Sequence, residues 1–354
     1  MHYLKLGPVK IPYQIRTDGD KKSFHICGIK IPFSTYMKGH QKYYKLFGIS
    51  FRLGRTDKVF ISQSRSNYMM KDQLTDEKIE GIARQIFKEK LGYELNLQDP
   101  KTMNEKIFWL KLNNHNPLIT KCCDKFAVKD YVEEKIGPGH VIPTIASWDR
   151  AEDMDLSVLP DRYVLKVNWS SGYNIIVKDS SDVKEKQIRD KIQYWMQPQQ
   201  NSYYQTFNWG YKNMKPVVYA EEYMEQLNGQ LYDYKFYCCN GKARFLFIAT
   251  DRAQKSTLTY DFFDMEFNHL DVIYGGRGHS KVKLEKPRFY DEMVRCAEIL
   301  AEPFPFVRVD FYETEDNYYV GEMTFYSGGG ILPFEPREWD EKFGSYIDLS
   351  KIIR

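Results

Sequence analysis

Residues 307–330 carry an arginine, Arg308, two positions before an aspartate, Asp310, with a glutamate, Glu322, beyond a polar turn at 313–317. The flanking runs Val-Arg-Val-Asp-Phe-Tyr and Tyr-Val-Gly-Glu-Met-Thr-Phe-Tyr favour strands, so the spacing predicts an antiparallel hairpin. Alternation then sets Asp310 opposite Glu322 and keeps Arg308 on their face. Two carboxylates and a guanidinium on one face suit Mg²⁺ and nucleotide phosphates: hard oxygen ligands for the metal, a fork of donors for the anion. The same spacing also fits an ordinary hairpin with a surface ion pair.

The elements that must position these groups lie upstream. Residues 162–178 read as a strand ending at Lys166, a small loop of Ser170, Ser171 and Gly172, and a second strand. A lysine on a strand beside a loop that lets backbone N–H groups approach an anion is a phosphate-clamp pattern. An apolar strand at 217–224 ends in Glu221 and Glu222. Asp233-Tyr-Lys235 and a run from Phe245 to Arg252 follow. Helical spacing appears at 77–90 (Ile79, Ile82, Ile86, Phe87), and a Thr102–Glu105 capping box opens 106–112. A third helix is predicted over 120–136, stopped by Gly137-Pro138-Gly139, and others over 183–195 and 287–300. The aromatic stretch 195–211 reads as a substrate-facing loop or a packed linker.

In order, a lysine strand with a small-residue loop, a Glu-Glu-x-x segment, an Asp-x-Lys strand and Arg-x-Asp followed by Gly-Glu-x-Thr resemble the ATP-grasp superfamily. The runs Asp124-Lys-Phe-Ala-Val-Lys129, Asp233-Tyr-Lys235, Arg308-Val-Asp-Phe-Tyr and Gly321-Glu-Met-Thr-Phe are similar to its TupA-like branch, associated with teichuronopeptide and surface-polysaccharide biosynthesis. The resemblance covers residues 75–350. It implies an α/β (α+β) fold with ATP held between two α+β subdomains, 146–225 with the lysine strand and 226–354 with the metal carboxylates. A helical region, 71–145, and a small basic β-rich module, 1–70, precede them.

The resemblance also implies ATP and Mg²⁺ as cofactors, and roles by position. Lys125 and Lys166 would hold the α- and β-phosphates, and Ser170, Ser171 and Gly172 would be the mobile loop covering them. Glu221, Glu222 and Met224 would be the hinge that reads adenine, largely through backbone, and Asp233 would hold the ribose hydroxyls. Lys235 and Arg252 would reach the γ-phosphate or the acceptor. Asp310 and Glu322 would ligate Mg²⁺, and Arg308 would stabilise the transferring phosphoryl group. Many members carry Asn two residues after that glutamate as a third metal ligand; here Thr324 stands there, and a weaker second metal site is expected. Gly328-Gly329-Gly330 follows where acceptors approach. The implied activity is carboxylate–amine ligation through an acyl phosphate, with an amino acid or a glycan uronic acid as the carboxylate. A glycan kinase and a non-catalytic nucleotide- or glycan-binding scaffold are the alternatives; scaffolds usually lose the metal carboxylates.

The 354 residues allow two or three domains, and no apolar run is long enough to span a membrane. Without an apolar signal region, a cytoplasmic protein is expected. Six cysteines, two adjacent pairs among them, show no Cys-x-x-Cys spacing and predict reduced core thiols without zinc. The seven histidines show no ligand spacing and predict structural or surface roles. The net charge of +3 hides an asymmetry: residues 1–70 hold thirteen Lys/Arg against three Asp/Glu. Glycines 7, 28 and 48 mark a degenerate strand–glycine–strand repeat there. It suits a packed β-module, a contact with anionic membrane at its inner face, or a grip on an acidic or lipid-linked glycan. No nucleic-acid motif accompanies the charge, so none is expected as a partner.

Overall fold

The computed structural model describes strand backbone within residues 2–51, and residues 64–224, 232–250 and 258–352. Two compact units divide the chain, Met1–Ser62 and Gln63–Arg354. In the first, β1 (His2–Leu6), β2 (Val9–Asp18), β3 (Lys21–Ile26) and β4 (Ile29–Ile31) make one antiparallel sheet. A second contains β5 (Phe33–Lys38), β6 (Gln41–Leu46) and β7 (Ile49–Phe51). The repeat's Gly7, Gly28 and Gly48 lie outside the described residues, as does Cys27.

The second unit carries two sheets that matter for chemistry. In the smaller, β8 (Thr144–Trp148), β9 (Tyr163–Val167), β10 (Asn174–Val177) and β11 (Val218–Glu222) run antiparallel in the order β10-β9-β11-β8. The larger starts with β12 (Asp233–Cys239), β13 (Lys242–Thr250), β14 (Thr259–Phe263) and β15 (His269–Leu270). After β16 (Ile273–Tyr274), which pairs elsewhere, it is completed by β17 (Phe306–Glu313) and β18 (Tyr318–Thr324), in the order β15-β14-β13-β12-β17-β18. Its register aligns Glu322, Asp310, Lys235, Phe247 and Phe262 across five strands. Directly paired residues share a face, so the polar three stand side by side.

The opposite face is covered by the helix Tyr290–Ala301, which buries Met293, Cys296, Ala297 and Leu300 at helical spacing; the Tyr290 ring meets Phe236 of β12 at 5.7 Å. The predicted capping box is present: Thr102 and Glu105 start the helix Met103–Asn113. The single helix predicted over 120–136 is instead two, Pro117–Cys123 and Val128–Ile136. Asp124 breaks it, because its Oδ1 accepts from the N–H groups of Phe126 and Ala127 at 2.8 and 3.1 Å and folds a tight turn. The stretch 195–211 is a packed linker: Trp195, Tyr203 and Phe207 are buried, and Trp195 stacks on Tyr173. The five described cysteines are free and buried, and burial pushes the Cys239 thiol up to about 12. No helix among the described residues is long and apolar enough to cross a membrane.

Candidate active site

Arg308, Asp310, Glu322 and Lys235 form one cluster on β12, β17 and β18. The hairpin register pairs Asp310 with Glu322 and Arg308 with Thr324, as strand alternation predicts. The Arg308 guanidinium grips Asp310 with both ends, Nε to Oδ1 at 2.6 Å and Nη2 to Oδ2 at 2.7 Å. Nη2 also reaches Thr324 Oγ1 at 3.0 Å and Glu322 Oε1 at 3.3 Å, and Nη1 donates to Ser327 Oγ. Ser327 in turn meets the buried Tyr237 hydroxyl at 2.7 Å, which fixes the guanidinium from behind. Lys235 bridges Asp310 and Asp233. Lys125 Nζ, on the turn that Asp124 makes, lies 3.3 Å from Glu322 Oε2.

Burial lifts the Asp310 carboxyl to about 6, against the pull of Arg308 and Lys235. Glu322, although burial acts on it too, is held well below the usual carboxylate range by Lys125, Lys235 and Arg308. Burial disfavours the charge on Lys125, yet the Tyr211 phenol and Glu322 raise its pKa above that of a free lysine.

A second cluster sits on the smaller sheet. Glu221, at the end of β11, is paired with Lys166 of β9, and its other oxygen is 2.7 Å from Lys129 Nζ. Lys129 also donates to Ile142 O and Thr144 Oγ1, both at 2.7 Å, and burial with the neighbouring Lys166 lowers its pKa despite Glu221. Asn168, fully buried, ties the site's pieces together: its side chain donates to Asp124 Oδ2 and Lys215 O and accepts from Val217 N–H. Lys125 N–H is 3.4 Å from the Asn168 carbonyl, so the turn carrying Lys125 hangs on the Lys166 strand.

The other sequence-derived positions fall as follows. Ser170 is buried with its hydroxyl toward Ser202, leaving Ser171 and Gly172 exposed in a turn where Gly172 takes φ +76°. Glu222 is exposed, but its backbone N–H is taken by Pro143 O; Met224 is half-buried. The Asp233 carboxylate is 1 % exposed and engaged with Lys235. Thr324 donates to Glu322 Oε1 at 3.1 Å. Arg252 lies outside the described residues. The three glycines 328–330 all have positive φ, between 56° and 66°, a left-handed turn that side chains resist. Lys129, Asn168, Ser327 and Tyr237 are functional candidates the sequence did not single out.

The donor set fits a divalent cation with a polyphosphate. At the larger sheet three cations, Arg308, Lys125 and Lys235, meet three carboxylates, Asp310, Glu322 and Asp233; at the smaller, two ammoniums share Glu221. A cation placed on Asp310 and Glu322 would exceed that balance unless an anion came with it. The lysines and Arg308, released from the carboxylates, are the groups to receive that anion.

A family model for TupA-like ATP-grasp proteins matches residues 105–348. No curated protein matches. Among solved structures, a D-alanine–D-alanine ligase from Bacillus anthracis complexed with ATP is 16% identical, covering 61% of this chain and 57% of its own, with a TM-score of 0.35. The Helicobacter pylori D-alanine–D-alanine ligase is 13% identical over 64% and 61%, TM-score 0.35. An ADP complex of purK, N5-carboxyaminoimidazole ribonucleotide synthetase, is 13% identical over 59% and 46%, TM-score 0.35. The chain spans less than two thirds of the length of these structures.

Proposed function

We propose, from the premise that this chain belongs to the TupA-like ATP-grasp family, that it is an ATP- and Mg²⁺-dependent carboxylate–amine ligase. The observation that carries the reading is the Arg308–Asp310–Glu322–Lys235 cluster, with Lys125 reaching into it and the Lys129–Lys166–Glu221 cluster on the smaller sheet. ATP, held with Mg²⁺, supplies the phosphoryl group that turns a carboxylate into an acyl phosphate, which an amine then attacks to give an amide, phosphate and a proton. The chain's own residues supply alignment and charge rather than a covalent nucleophile. Asp310 and Glu322 would hold the metal. Lys166 and Lys129 would receive the phosphates nearer the nucleoside, and Lys125, Lys235 and Arg308 the transferring end. Arg308, whose Nη1 donates to the Ser327 hydroxyl held by Tyr237, loses little freedom when charge develops beside it.

For substrate class we propose an amino acid or a uronic-acid carboxylate used in building a bacterial surface polysaccharide. The basic residues 1–70, thirteen Lys/Arg against three Asp/Glu, would serve an acidic or lipid-linked glycan at the inner membrane face.

ADP and phosphate release, followed over a panel of amino acids and uronic-acid oligosaccharides with Asp310→Asn beside the wild type, tests this. Turnover that needs both a carboxylate and an amine, and is lost in the variant, is the expected result. Amide formation without ATP, or undiminished by Asp310→Asn, overturns it; ADP without free phosphate and with label on a sugar replaces it by a phosphotransferase.

A further inference from the structure

Away from the nucleotide cluster, Asp261, His269 and His279 converge at the far edge of the six-stranded sheet. Phe262 stands in the register row of Asp310 and Lys235, so its neighbour Asp261 projects from the other face. His269 of β15 lies diagonal to it, with Nε2 3.2 Å from Asp261 Oδ1. His279 comes from the loop after β16, seated on β14 by the Tyr260 N–H, which donates to Gly278 O at 3.1 Å. Its Nδ1 is 3.4 Å from the same Asp261 oxygen.

We propose that these three side chains bind a divalent transition metal, zinc being the ion their donors suit. Two imidazole nitrogens and one carboxylate oxygen are zinc ligands, whereas Mg²⁺ prefers oxygen alone. Their ligand atoms all lie within 4.8 Å of one another. A tetrahedron with bonds of about 2.0–2.1 Å has edges of roughly 3.3–3.4 Å. The separations from Asp261 Oδ1, 3.2 and 3.4 Å, are close to that.

The surrounding hydrogen bonds orient the ligands outward from each partner. Ser280 N–H donates to Asp261 Oδ2 at 2.9 Å and leaves Oδ1 facing the rings. His279 Nε2 lies 3.2 Å from Asp271 Oδ1; in the tautomer that carries the ring proton on Nε2, Nδ1 presents a lone pair to Asp261. That Nδ1 is closed off from solvent and makes no hydrogen bond among the described residues. A lone pair directed at a carboxylate oxygen is repulsive unless a cation stands between them. A metal ion is such a cation. Asp261 is buried, while the His269 and His279 side chains are 43% and 27% exposed. The rings of His269 and His279 reach the surface and give the ion an entry path. Bound there, it joins the β14–β15 hairpin to the 278–280 loop.

The test uses the full-length protein without a histidine tag, stripped by a chelator and free of nucleotide. Co²⁺ is titrated by visible ligand-field absorption and Zn²⁺ by calorimetry. One ion per chain is expected, lost in His269→Ala and His279→Ala and retained in Asp310→Asn. His279→Gln, which keeps a polar side chain of similar reach, repeats the test should His279→Ala disturb folding, with circular dichroism as the check. Absence of binding in the wild type, or binding that survives both His269→Ala and His279→Gln, overturns the metal site.

Discussion

Lys125 and Lys129 leave one short stretch of chain for carboxylates on different sheets: Lys125 reaches Glu322 on β18, and Lys129 reaches Glu221 on β11. The Asp124 turn makes this divergence possible, since it breaks the helix between residues 123 and 128 and points the two ammoniums apart. A phosphate chain lying between the sheets would be held from both sides by one backbone segment. Charged hydrogen bonds are worth about 1.5–3 kcal/mol, so Lys129→Met is expected to weaken ADP binding by roughly tenfold or more. Isothermal calorimetry measures this without turnover, and an unchanged dissociation constant would remove Lys129 from the site.

The balanced charges at the larger sheet make metal and nucleotide binding interdependent. With Arg308, Lys125 and Lys235 already paired to Asp310, Glu322 and Asp233, Mg²⁺ alone meets three competing cations. A polyphosphate draws those cations away and frees the carboxylates. The apparent Mg²⁺ affinity is therefore expected to rise at least several-fold when a non-hydrolysable ATP analogue is present, and the analogue's affinity by the same factor when Mg²⁺ is present. Competition dialysis with Mn²⁺ reads both arms; affinities independent of each other would contradict the charge argument.

Lys111 anchors the glycine turn from beneath. It is 2% exposed, stands over the Phe108 ring at 4.1 Å, and its ammonium donates to the carbonyls of Thr206 and Gly329 at 3.2 and 2.5 Å. Burial pushes its pKa well below that of a free lysine. Lys111→Met keeps the length and removes the donor, leaving both carbonyls short of a partner at about 1–3 kcal/mol for each buried acceptor. Urea unfolding should show a loss of that order, and acceptor KM should rise more than ATP KM. A variant as stable as the wild type would show that the turn holds itself.

How much of this was legible follows from which contacts are local. Asp310 and Glu322 could be paired from sequence because strands alternate with period two and a short turn fixes the register. Lys111 sits in a helix whose apolar positions are plain, yet it reads as a polar face because a lysine is seldom buried. Asn168 bridges Asp124, Lys215 and Val217, partners that only the folded chain brings together. Asp261, His269 and His279 are spaced without any motif, since a strand reversal and a separate loop deliver them to one point. The helix break at Asp124 was hidden for a different reason: apolar periodicity continues through it, and only the aspartate's short side chain, bonded back to the backbone, stops the helix.

Asp340 gives the fold a pH dependence of defined sign. It lies on the helix Glu338–Ser345, where Asn104 donates to it twice, N–H to Oδ1 at 3.0 Å and Nδ2 to Oδ2 at 2.8 Å, with the Tyr93 hydroxyl at 3.4 Å. Burial raises its carboxyl to about 6, although those Asn104 and Tyr93 bonds pull the other way. The folded protein therefore binds this proton more tightly than the unfolded chain, whose aspartates titrate near 4. The proton's contribution to stability is present below about pH 4 and is lost as pH rises toward about 6, by an amount of order 2–3 kcal/mol. Asp340→Asn retains an oxygen for the Asn104 N–H and never ionises. Urea unfolding across roughly pH 4 to 7 should show the variant gaining on the wild type as pH rises. A difference that stays constant over that range would mean that Asp340 is ionised throughout and held by Asn104 alone.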